Sequence, residues 1–222
     1  MIKNRTVQLM FQTAFCTLGI LGIIASFGTF NYEFRPDFYV HFTNLSNYFC
    51  IIIMFIELIE TIKKKKDEYV TKTPLLKFIG LLAILLTFII FNFILAGDRE
   101  PELNFYINSV LFHLILPIMY LLDWILFYKH KKIKWYYPLI SVIFPVVYAI
   151  FIFIRAWILD FNPDVPYIYP YFFLNLDELG VLGVIKWIII LSIVFIVIGY
   201  TIFGLDKISL NKKKLKKKKT QK

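Results

Sequence analysis

Six predominantly apolar stretches, each near twenty residues or a little longer, run along this chain at residues 7–30, 38–62, 74–96, 105–128, 135–154 and 181–204. A helix rises about 1.5 Å per residue, so such a run covers a hydrocarbon layer about 30 Å thick. The pattern predicts six membrane-spanning helices. The polar interruptions alternate in sign. The basic amino terminus MIKNR is followed by the acidic loop NYEFRPD, the basic loop TIKKKKDEYVTKT, the acidic loop GDREPELN and the basic loop KHKKIK. A long acidic segment, residues 155–180, and a lysine-rich tail after Asp206 complete the series. Its proline and tyrosine content argues against a seventh span in 155–180, and suits a segment lying among lipid headgroups.

Lysine and arginine gather in cytoplasmic loops. All but Arg35, Arg99, Arg155 and Lys186 of the 25 basic residues fall in the loops or helix ends of one side. The expected topology therefore has both termini in the cytoplasm of a multi-pass plasma-membrane protein. The fold class is all-α, a six-transmembrane-helix bundle forming one domain over residues 1–204. Residues 205–222 are expected to be a disordered cytoplasmic tail held near anionic lipid by its lysines.

An apolar fraction of 59% exceeds the roughly 45–50% of soluble domains. The net charge of +10 would suggest nucleic acid in a soluble chain. Here the positive-inside pattern accounts for it, so nucleic acid is not an expected partner and membrane lipid is. The bias toward Lys, Ile, Asn and Phe points to an AT-rich bacterial genome. The basic start and first apolar run also describe a signal peptide, but the run is too long and lacks a small-residue cleavage site, so it reads as a retained helix. Cys16 and Cys50 lie inside apolar runs and read as small core residues. No zinc, Walker or nucleophile-elbow motif occurs, and no metal or cofactor is expected.

Polar groups inside a membrane are costly and therefore informative. Most lie toward the acidic-loop side: Thr43, Asn44, Ser46 and Asn47 on the second helix, Asn92 on the third, Asn108, Ser109 and His113 on the fourth, and Arg155 on the fifth. Thr43, Ser46 and Asn47 share one face, as do Ser109 and His113. Helix rise puts Thr43 about 8 Å and His113 about 12 Å inside their helix ends, so the two faces suggest a shared polar pocket. A threonine hydroxyl activated by a histidine base would form a minimal hydrolytic pair, with neighbouring amides orienting the histidine or holding an oxyanion. The competing reading is interhelical hydrogen bonding alone. His41 falls at headgroup level and His130 in a lysine loop. Asp123, Glu57 and Glu60 occupy inner turns, where water or adjacent lysines are within reach, so structural pairing is expected of them. Pro117 and Pro145 are expected to kink the fourth and fifth helices.

Three segments in order, FTNLSN at 42–47, LFHLILPIMYLLDW at 111–124 and YPYFFLNLDELG at 169–180, resemble a bacterial family of predicted six-transmembrane proteins. That family is in turn distantly similar to the androgen-induced and androgen-dependent tissue-factor-pathway-inhibitor-regulating proteins. Those are intramembrane threonine hydrolases that cleave fatty acid esters of hydroxy fatty acids. The resemblance implies a nucleophile at Thr43, a base at His113 and a lipid-like ester as substrate. The alternative expectation is a protein that binds or transports a small polar or lipid molecule through the same pocket.

Overall fold

The computed structural model describes residues 4–31, 34–63, 73–95, 106–128, 133–159 and 168–220. Among them the regular elements are helical, and six are long and apolar enough to cross a membrane. These are α1 (Arg5–Ser26), α2 (Phe42–Lys63), α3 (Pro74–Leu95), α4 (Ile107–Leu126), α5 (Tyr137–Leu159) and α6 (Leu176–Thr220). The chain is a multi-pass membrane protein. Arg5, Lys63, Pro74, Leu126 and Tyr137 mark the basic end of the bundle, and Ser26, Phe42, Leu95, Ile107 and Leu159 the far end.

The helix boundaries have local causes. Asn4 caps α1 by accepting from the Thr6 and Val7 amides, which satisfies donors that the helix cannot. The helix ends at Ser26, four residues before the end of its apolar run, because Gly28 takes a positive φ of 83°. Residues 38–41, expected within the second helix, form a turn closed by the Val40 amide on the Asp37 carbonyl. Pro74 opens α3 at a position where a missing N–H is harmless. In α5 the break at Val142 precedes Pro145, which supplies no N–H to the Ser141 carbonyl.

Helix α6 starts at Leu176, five residues before its apolar run, with Asn175 capping Asp177 and Glu178. Gly180, at φ 63°, breaks it before the span proper. Residues 205–220 continue the helix. Extending an existing helix avoids the cost of nucleation, and Lys and Leu are good helix formers.

Helix α3 is central and packs against α2, α4, α5 and α6, while α1 closes against α2 and α4. Phe78, Leu81, Leu82, Ala83 and Ile84 of α3 are buried, whereas α6 leaves Leu182, Ile189 and Val197 exposed. The aliphatic surface of α6 is suited to lipid. Gly22 sets the α1–α4 spacing. A Cβ there would lie 2.3 Å from the Phe112 ring, so only glycine lets that ring rest on α1.

Candidate functional site

Proline 117 shapes the site. It offers no N–H to the carbonyl of His113, and the Leu116 N–H bonds Leu111 five residues back in a π-turn over Leu111–Ile115. The carbonyls of Phe112 and His113 thereby lose their usual helical donors. Two side-chain amides replace them. Asn47 of α2 donates to Phe112 O at 3.0 Å, and Asn92 of α3 donates to His113 O at 3.1 Å. Asn92 itself lies in a second π-turn, Phe91–Leu95. Single π-turns recur at functional sites because they redirect side chains.

The imidazole of His113 is fixed on both its face and its edge. Its ring stacks on Phe91 with centroids 3.4 Å apart, and its Nδ1 lies 2.9 Å from Ser109 O and 3.2 Å from Ser109 Oγ. A carbonyl only accepts, so the neutral ring carries its proton on Nδ1, and Nε2 holds the basic lone pair.

A cavity of about 460 Å³ opens beside this ring. Its wall brings together Thr43, Asn44, Asn108, Ser109 and His113 among the expected site residues. Arg35, Asp37, His41, Tyr106 and Tyr171, none of them expected in a site, complete its polar side. Arg35 sits over the Tyr106 ring at 5.7 Å, and His41 lies 3.8 Å from Asp37. A second cavity of about 70 Å³ is walled by residues such as Phe42, Leu86, Ile90 and Val146. Thr43 stands in the wall of both cavities, together with Phe91, Leu95 and Tyr171.

The remaining expected residues lie elsewhere. Ser46 is buried and bonds the Thr87 hydroxyl at 2.8 Å and Thr43 O at 3.0 Å. Asn47 spends both amide hydrogens on Thr43 O and Phe112 O, which leaves none for a ligand. Asn92 is committed to Phe88 O and His113 O. Arg155 donates to Ile168 O at 2.7 Å and is absent from both cavity walls. Asn44 donates once, to Phe38 O, and keeps a second N–H. No hydrogen bond among the described residues joins Thr43 to His113. His130 and Glu33 lie outside the described residues.

Asn47 should be the most sensitive of the amides. Asn47→Ala would strand the Phe112 carbonyl inside the bundle, at a cost of about 1–3 kcal/mol. Thermal unfolding in detergent should show the loss, and the exposed Asn92→Ala should lose less.

A second polar cluster lies toward the basic end. Lys77 of α3 donates to Glu57 of α2 at 2.7 Å and to Asp123 of α4 at 2.6 Å. Lys77 and Asp123 are fully buried and Glu57 is 3% exposed, so none of the three is solvated. The structural pairing expected of Glu57 and Asp123 is met, and the partner of both is Lys77, a lysine within the bundle. Lys77 escaped the sequence reading because it was counted with the basic loop. The available signal was three ionisable groups at like depth on consecutive helices. They lie about 9, 4.5 and 4.5 Å inside Lys63, Pro74 and Leu126 by helix rise.

Fold and clusters together define a multi-pass helical protein with a polar chamber at one end of its core helices and a buried ion triad toward the other. The chain matches no family model, no curated protein and no solved structure.

Proposed function

We propose that the protein is an intramembrane hydrolase of lipid-like esters, with Thr43 as nucleophile and His113 as general base. It is placed in a bacterial plasma membrane with both termini cytoplasmic, following the positive-inside bias, so that the polar cavity faces the outer leaflet. One observation carries the reading. Thr43 stands where a polar cavity containing His113 meets an apolar one. An amphiphilic ester bound across that boundary would set its carbonyl carbon beside the threonine hydroxyl.

In this reading Thr43 Oγ1 attacks the carbonyl carbon while His113 Nε2 takes its proton. The tetrahedral oxyanion is held by the second N–H of Asn44 and by the Asn108 amide, both at the cavity wall. The alcohol leaves with the proton from the imidazolium. Water, deprotonated by the same nitrogen, then cleaves the threonyl ester and releases the acid. Ser109 holds the imidazole tautomer, and Asn92 and Asn47 hold the backbone that carries it. Catalytic contacts often tighten only in the reacting complex.

The absence of a Thr43–His113 hydrogen bond among the described residues favours a second reading, a protein that binds or transports a small polar or lipid molecule. One experiment separates the two. The purified protein is incubated with lipid esters and with a serine/threonine-reactive alkyl phosphonate. Hydrolysis and labelling, both abolished in Thr43→Ala, support the enzyme. Labelling that survives Thr43→Ala refutes the assignment. Saturable ester binding without turnover or labelling, weakened in Asn108→Ala, supports the binding protein.

A further inference from the structure

The triad of Glu57, Lys77 and Asp123 plays no part in the hydrolase or binding readings, and its charges do not balance. One ammonium faces two carboxylates, all within the bundle. Each carboxylate gives one oxygen to Lys77 Nζ. The others, Glu57 Oε1 and Asp123 Oδ1, are buried and have no hydrogen-bond partner. Each free oxygen thus belongs to a carboxylate already anchored on Lys77 Nζ.

Among the described residues, no lysine or arginine other than Lys77 bonds either carboxylate. From α4 the Tyr120 ring lies 4.3 Å from Nζ, and from α2 Met54 Sδ lies at 4.0 Å. The Cys50 thiol of α2 donates to Gly80 O, and Cys16 of α1 lies within electrostatic reach of Lys77 and Asp123. Tyr128, just past α4, lies within electrostatic reach of both Glu57 and Asp206 of α6. Arg5, at the start of α1, donates to Thr61 O and Ile62 O, one turn beyond Glu57.

A second observation points the same way. The Gln12 side chain of α1 is fully buried, and both its amide atoms lack partners. Gln12 is one turn from Cys16 on the buried stripe of α1, about 10 Å inside Arg5 and so at the depth of Glu57. A buried site with an excess negative charge and unpartnered oxygens is unfavourable as it stands, because a buried charge needs a counter-charge and buried polar atoms need partners.

We infer that the triad is a binding site for one further monovalent cation, a proton or an alkali ion, taken up on the unpartnered oxygens Glu57 Oε1 and Asp123 Oδ1. One added positive charge brings the cluster to neutrality without displacing Lys77. The three helices that bear it also line the polar cavity, through Thr43, Phe91 and His113.

The test uses the full-length protein in detergent and its thermal midpoint. In one arm pH is varied in buffers free of alkali ions. In the other, choline chloride is exchanged for sodium, potassium or lithium chloride at fixed pH and ionic strength. The midpoint of the wild type should move by several degrees in one arm, and that component should vanish in both Glu57→Gln and Asp123→Asn, whose triads are already neutral. A pH response identifies the ligand as a proton, and an alkali response identifies a metal ion. Parallel behaviour of wild type and variants in both arms, or none at all, would overturn the inference.

Should neither variant fold, the wild type answers alone. A membrane-permeant carbodiimide labels protonated carboxyls, and mass spectrometry reads the label at Glu57 and Asp123. Labelling suppressed by raised pH supports the proton, and labelling suppressed by alkali ion supports the metal. Labelling insensitive to both, including none at all, overturns the site.

Discussion

Replacing Lys77 with methionine is expected to destabilise the protein by roughly 3–5 kcal/mol, the scale observed when one partner of a buried ion pair is removed. That is a large share of the roughly 5–15 kcal/mol that holds a typical domain together. The cause is not the lost methylene packing, which methionine largely replaces. The Glu57 and Asp123 carboxylates, no more than 3% exposed, would face each other without the ammonium that now bonds both. Lys77→Arg should also be poorly tolerated. The guanidinium is larger, and Nζ is boxed in by the Tyr120 ring and Met54, so overpacking of about 1–3 kcal/mol is expected.

The decisive comparison is the triple variant Lys77→Met, Glu57→Gln, Asp123→Asn. It removes every charge while keeping shape, and exchanging a whole buried ion network for neutral groups is often close to neutral in stability. The triple variant should therefore unfold at a higher temperature than Lys77→Met alone. Equal midpoints for Lys77→Met and wild type would mean that the triad does not hold the helices together. A triple variant no better than the single one would put the cost in packing instead of charge.

Legibility differed between the two ends of the molecule for a physical reason. Six apolar runs and the sign of the loops define the spans, because hydrocarbon admits few other solutions. Thr43, Asn108 and His113, singled out as polar groups within apolar runs, share one cavity wall. Interhelical partnership was not readable. Nothing in a linear sequence says that Asn47 and Asn92 serve the backbone of α4. That role follows from Pro117, whose missing N–H exposes carbonyls that only neighbouring helices can reach. The cavity mouth was missed because Arg35, Asp37 and His41 read as ordinary headgroup-level residues, although they line the polar cavity. Lys77 was missed because it follows a lysine-rich loop, and the positive-inside rule explains a lysine there without invoking a partner.

The second large effect belongs to chemistry. Under the hydrolase reading proposed above, His113→Phe is expected to lower ester hydrolysis by about 10²–10⁴-fold, the usual contribution of a positioned general base. Phenylalanine is the informative replacement because the His113 ring lies flat on Phe91, and another planar ring preserves that stack. The backbone carbonyl that accepts from Asn92 is also untouched. Thermal stability should therefore stay near that of the wild type while turnover collapses. Ser109→Ala should be much milder. The shorter contact to His113 Nδ1, 2.9 Å, comes from the Ser109 carbonyl, and only the 3.2 Å hydroxyl contact is lost. Thr43→Ser should retain activity, since it keeps a nucleophilic oxygen at the meeting of the polar and apolar cavities. The order of rates, Thr43→Ser above Ser109→Ala above His113→Phe, with Thr43→Ala at background, is peculiar to a threonine nucleophile served by this histidine. A binding protein would instead show four variants that differ in ligand affinity and share the same absence of turnover.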